Sequence, residues 1–105
     1  MRNARGSIVY VASIAALLES SAPEIAAYAA AKGAVLKLMR SVAEEERGVV
    51  RANAVAPTTI RTRDMIAVLG EDAPGTVARE AVADAIVFLS SPMARAVSGE
   101  VLRLQ

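Results

Sequence analysis

The sequence predicts an α/β fold, with three parallel strands covered by helices in the order β-α-β-α-β. Three observations lead there. Ile8-Val9-Tyr10-Val11 is a β-branched run without polar alternation, the pattern of a strand buried on both faces of a parallel sheet. A long alanine-rich stretch follows, then a second β-branched segment. A shorter stretch at helical spacing then precedes a final apolar run. Strands alternating with helices in this way imply right-handed parallel crossovers. At 105 residues the chain is a single domain, 1–105.

Taken in order, Gly6-Ser7 opens the first strand, and residues 13–20 read as a loop. Ser21-Ala22-Pro23-Glu24 is a helix start: Ser21 can cap, Glu24 completes a capping box, and proline is tolerated in the first turn. The helix is expected over 22–47, stopping at Gly48. Its first half carries Ala26, Ala27, Ala29, Ala30, Ala31 and Ala34, so another backbone can come close. Its second half offers Val35, Leu36, Leu38, Met39 and Val42 as a broader apolar face. Glu44-Glu45-Glu46 opposes the helix dipole and is offset in part by Arg47, which reads as a solvated end.

The second strand covers residues 49–55 and is ended by Pro57. Residues 58–78 read as a loop with breakers at Gly70, Pro74 and Gly75, and a short helical turn near Met65 to Leu69. A helix is predicted from Arg79 to Ser90, with Val82, Ala85, Ile86 and Leu89 at helical spacing and Pro92 as its stop. Ser98-Gly99 then turns into the last strand, Glu100 to Leu104.

Composition narrows the chemistry. Hydrophobic residues make up 54% of the chain but aromatics only 3%, so small aliphatic side chains fill the core. The formal net charge is +1 with both signs interspersed, which gives no nucleic-acid footprint. Cysteine and histidine are both absent. That excludes disulfides, the usual zinc sites and a histidine-based triad. Acid–base chemistry must therefore fall to Tyr, Lys, Asp or Glu. Near the N-terminus, Arg2 and Arg5, the apolar run Ile8 to Leu18 and Ser20-Ser21-Ala22 imitate a cleaved leader. The run is shorter than the ~20 residues of a membrane span. A leader predicts a mature N-terminus near Ala22; the motifs downstream favour a strand and a cytoplasmic protein without membrane contact.

Tyr28 and Lys32 stand four apart on the long helix and so share a face. A free tyrosine, with a pKa near ~10, is a poor base at neutral pH. A neighbouring ammonium stabilises the phenolate and makes proton transfer feasible. An isolated pair of this kind is more often a packed ring beneath a surface lysine.

The context separates the two readings. Tyr28-Ala29-Ala30-Ala31-Lys32 resembles the Y-x-x-x-K motif of the short-chain dehydrogenase/reductase family, on an alanine-rich helix as there. Ile8 to Ser13 resembles the family's strand ending in the catalytic serine, and Arg51-Ala52-Asn53-Ala54-Val55-Ala56-Pro57 its R-V-N-A-V-A-P segment. Thr62 falls where the family's P-G-x-x-x-T threonine stands. Val82 to Pro92 and Val97 to Val101 resemble its last helix and last strand. The similarity runs through essentially the whole chain, in order.

The resemblance implies a partial Rossmann-like, doubly wound fold: the C-terminal, catalytic half of the family's domain. It implies hydride transfer with NAD or NADP to or from a small-molecule carbonyl or alcohol substrate. Tyr28 would be the general acid/base. Lys32 would stabilise its phenolate and bind the nicotinamide ribose, and Ser13 would hydrogen-bond the substrate oxygen. Pro57, Ile60 and Thr62 would line the nicotinamide end of the cofactor, with Asn53 structural. A homo-oligomer formed through the helix 22–47 is also implied. The pattern is incomplete, because no G-x-x-x-G-x-G occurs in the chain to cradle a pyrophosphate, and Thr58 stands where the family carries glycine after Pro57. On this reading the nucleotide-binding half is missing and the chain is inactive alone. A truncated relative acting as a dimerisation or interaction module is the alternative.

Overall fold

The structure is a computed structural model and describes residues 6–17, 26–61 and 75–105. Its main sheet is parallel, with strand order β1-β2-β5. These strands are β1 (Gly6–Val11), β2 (Val50–Pro57) and β5 (Val101–Leu104). Helix α1 (Ala26–Glu45) connects β1 to β2, and helix α2 (Arg79–Ser90) precedes β5. The three-strand β-α-β-α-β arrangement is thus the one the sequence predicts.

β2 is the centre of the molecule and is buried from Arg51 to Pro57. Alternate side chains point to opposite faces of a strand, so β2 serves two apolar clusters. On one face Ala52 and Ala54 meet Leu36 and Met39 of α1, with Ala12, Tyr10 and Val42 around them. On the other, Val55 packs with Val82 and Leu89 of α2, flanked by Val9, Leu102 and Leu104. The methyl side chains of Ala52 and Ala54 let α1 lie close to the sheet.

Pro57 can end a central strand because of which way its missing N–H would point. The amides of Ala54 and Thr58 donate to Glu100 and Leu104, on the β5 side. Odd-numbered amides therefore face β1, and β1 has ended at Val11, opposite Val55. The donor that Pro57 lacks falls where the β1 ladder stops, just past the Ala12 amide bonded to Val55 O.

The helix boundaries follow the predicted stops. α1 gives way to a turn containing Gly48 at φ 83°, a left-handed conformation suited to glycine. Arg47 pairs with Glu44 at this exposed end. The predicted cap at 21–24 lies outside the described residues, as does the turn expected near Met65 to Leu69. α2 spans Arg79–Ser90 as expected and is closed by Pro92.

Two expectations are corrected. β1 was expected to be buried on both faces; Ile8 is 41% and Val11 44% exposed, while its position at the edge of the sheet fits the open apolar edge that the missing neighbouring strand implied. A β-branched run says that a strand belongs in a sheet, whereas burial of its side chains depends on what packs over each face. Residues 58–78 were expected to be loop. They contain β3 (Thr59–Arg61) and β4 (Thr76–Ala78), paired in parallel as a second small sheet. Three-residue strands are too short to show a periodicity.

Candidate active site

Ligands in open α/β sheets bind beyond the carboxyl ends of the strands, and most of the predicted residues gather there. β1 pairs one residue past Val11, through a 2.8 Å bond from the Ala12 amide to Val55 O. Ser13 follows directly, with only 9% of its surface exposed, and the chain then enters a 3-10 turn, Ile14–Leu17. Pro57, buried at the end of β2, lies two residues beyond that bonded Val55.

α1 brings the other two groups to the same end. Lys32 Nζ donates to the carbonyl oxygen of Val11 at 3.4 Å, a long bond to the last residue of β1. The same nitrogen stands 5.9 Å from the centroid of the Tyr28 ring, within the range of a cation–π contact. The i, i+4 spacing on a helix produces this stacking. Tyr28 is 53% exposed. Such an arrangement can present a phenol and an ammonium together, with hydrogen-bonding capacity left on both.

The remaining predicted residues divide. Ile60, in β3, is half-buried and packs against the cluster of Val55, Val77, Val82 and Leu89. Thr62 lies outside the described residues. Asn53 is structural, as expected: it is fully buried, its amide donates to Val97 O and its carbonyl accepts from the Glu100 amide, both at 3.0 Å.

Arg51 was not assigned a role from the sequence. Its guanidinium donates to the carbonyls of Leu89 at 2.9 Å, Val97 at 3.2 Å and Ser91 at 3.4 Å. The signal in the sequence was a charge inside a buried strand. A depression of about 290 Å³, lined by residues including Glu44, Arg47, Arg51 and Ser98, sits at the opposite end of β2 and holds none of the predicted site residues. Among the described residues no cluster of acidic side chains could hold a metal ion.

Known proteins with the same features are numerous. The family model described as enoyl-(acyl carrier protein) reductase matches residues 1–104. The chain is 40% identical over 111 residues to inactive 2-(S)-hydroxypropyl-CoM dehydrogenase 2 of Xanthobacter autotrophicus, covering 90% of this chain and 47% of that one. It is 33% identical over 115 residues to the 3-oxoacyl-acyl-carrier-protein reductase of Vibrio cholerae, covering 99% and 46%. Among solved structures, an oxidoreductase of the short-chain dehydrogenase/reductase family from Burkholderia thailandensis superimposes with a TM-score of 0.79 at 33% identity, over 95% of this chain and 43% of that one. A 4-hydroxyisoleucine dehydrogenase complexed with NADH gives 0.76 at 30% identity, over 95% and 44%. The chain spans about half the length of the curated relatives it matches. A match along nearly every residue, on the same Rossmann-type fold, makes this chain a member of the short-chain dehydrogenase/reductase family.

Proposed function

We propose that these residues are the catalytic half of an NAD- or NADP-dependent oxidoreductase moving a hydride to or from a small carbonyl or alcohol substrate. One observation carries the reading: Lys32 stands between the Tyr28 ring and the carbonyl that closes β1, at the ligand-binding end of the sheet.

The residues fit the nicotinamide–ribose end of such a cofactor, since a half-exposed tyrosine and an ammonium donor stand together there. The pyrophosphate end would rest on protein outside these residues, which contain no glycine-rich loop. When bound, the nicotinamide supplies or accepts the hydride. Tyr28 Oη gives its proton to the carbonyl oxygen in reduction and takes it back in oxidation. Lys32 stabilises the phenolate that forms and holds the ribose. The Ser13 hydroxyl donates to the substrate oxygen and steadies it. Pro57 and Ile60 would line the nicotinamide end, and the family resemblance adds Thr62, which lies outside the described residues.

Hydride transfer requires the cofactor to be held against the substrate, and with no glycine-rich loop among these 105 residues we expect them to turn over little substrate by themselves. Ala27, Ala30, Ala34 and Leu38 form an exposed strip along α1, which supports homo-oligomer contact through the helix 22–47. Among the described residues no helix is long and apolar enough to cross a membrane, and we assign the protein to the cytoplasm.

The test uses the whole reading frame containing this sequence, assayed with NADH and NADPH against small ketones. Tyr28→Phe should lower turnover by about 10²–10⁴-fold while cofactor affinity stays within about twofold. Undiminished turnover removes Tyr28 from the chemistry. A native protein that binds neither cofactor is instead an interaction module, a reading favoured by the uncovered Ile8 and Val11 on the β1 edge.

A further inference from the structure

The residue after β2 makes contacts that this chemistry does not use. The Thr58 amide donates to Leu104 O at 2.9 Å, at the last residue of β5. Its hydroxyl donates to the carbonyl oxygen of Gly75 at 3.1 Å. Gly75 immediately precedes β4, and β3 begins immediately after Thr58. The two strands then pair in parallel, from Thr59 opposite Thr76 to Arg61 opposite Ala78. The inner side of this ribbon is anchored, because Val77 is buried and packs with Ile60 against Val55, Val82 and Leu89. At its outer start the Thr58 hydroxyl reaches Gly75. Among the described residues a Cβ built on Gly75 would meet nothing within 4 Å, and its φ of 76° is one that other residues rarely adopt.

We infer that Thr58 is a positioning residue for the candidate site, its hydroxyl clasping Gly75 so that the β3–β4 ribbon keeps one register against the end of the main sheet. Such a clasp is needed because the pairing is only three residues long on each strand, and parallel ladders are the less stable kind. Pro57 is fixed in the main sheet opposite Leu104, whereas Ile60 lies in the ribbon, so a slip there would move Ile60 relative to Pro57. The clasp itself stands on the geometry alone; its importance for the site rests on the oxidoreductase reading above.

Thr58→Val keeps the shape and removes the hydroxyl, and Thr58→Ser restores it. Amide hydrogen exchange at Thr59–Arg61 and Thr76–Ala78 should speed by about 2- to 12-fold in Thr58→Val, the net worth of one hydrogen bond. Thr58→Ser should return it to within about twofold of native. Amides shared between β1 and β2 should be unchanged. Unaltered ribbon exchange shows that the hydroxyl holds nothing, and uniform acceleration through both sheets makes Thr58 an ordinary stability residue; either overturns the inference. In the whole enzyme with NADH and a reducible ketone, Thr58→Val should raise KM severalfold with kcat within about twofold. An unchanged KM in a loosened ribbon overturns the role at the site. Lack of turnover in the native enzyme counts against the oxidoreductase reading, while exchange alone decides the clasp.

Discussion

Arg51 carries a charge into the most buried strand of the protein and meets only carbonyl oxygens there. Burying a cation is costly unless its donors are used, and here they collect the end of α2 and the turn behind it. Leu89 O lies in the last turn of that helix, where the dipole favours a positive charge. It also accepts from Ser7 Oγ at 3.3 Å, so one carbonyl joins β1, β2 and α2. Arg51→Met, similar in length, should lower stability by about 2–4 kcal/mol. The loss should appear as a lower urea midpoint with an unchanged m-value. Arg51→Lys should recover part of it, since an ammonium cannot spread its donors as a planar fork does. Asn53 could be given a structural role from the family resemblance, although its partners, Val97 and Glu100, are as distant in sequence as those of Arg51. Arg51 could not. Its partners come from residues 89, 91 and 97, and no local pattern tells a strand arginine which distant carbonyls it will meet.

Among the elements, those whose sequence carries their own limits were the most legible. α2 is set by four apolar residues at helical spacing and by Pro92, all local. α1 likewise ends where Gly48 permits a left-handed turn. β1 could be recognised as a strand from its residues, but its place at the edge followed only from the family resemblance, because edge or centre depends on what lies beside it. The candidate site shows the same division. Tyr28 and Lys32 sit together because four residues make one helical turn, whereas the closeness of Lys32 to Val11 O needed the packing of α1 on the sheet. The exposed β1 edge has a measurable effect of its own. Six uncharged residues, Gly6–Val11, offer a backbone ladder that is unpaired among the described residues, which invites association with other strands. Ile8→Lys should reduce the apparent mass of the chain in light scattering at high concentration. Far-ultraviolet circular dichroism should stay native.

At the scale of the whole molecule, two apolar clusters share one strand. Met39 and Leu89 are both fully buried, on opposite sides of β2. Neither cluster can open without exposing a face of that strand, so the two should melt together. Met39→Ala should cost about 2–5 kcal/mol. Denaturant midpoints followed by exchange at Leu36–Met39 and at Val82–Leu89 should fall by the same amount; separate midpoints would show that each face folds by itself. The two sides are nevertheless unequal in kind. α2 rests on branched and long side chains, while α1 rests on Ala52 and Ala54, where the strand contributes a single carbon beyond its backbone. α1 is in that respect a lever over a very low fulcrum. Its pivot lies at Leu36 and Met39, and Tyr28 and Lys32 ride on the arm. Any thicker shim beneath the pivot would swing that arm away from the strand ends, so the reach of a tyrosine is governed by two methyl groups more than twenty residues along the chain.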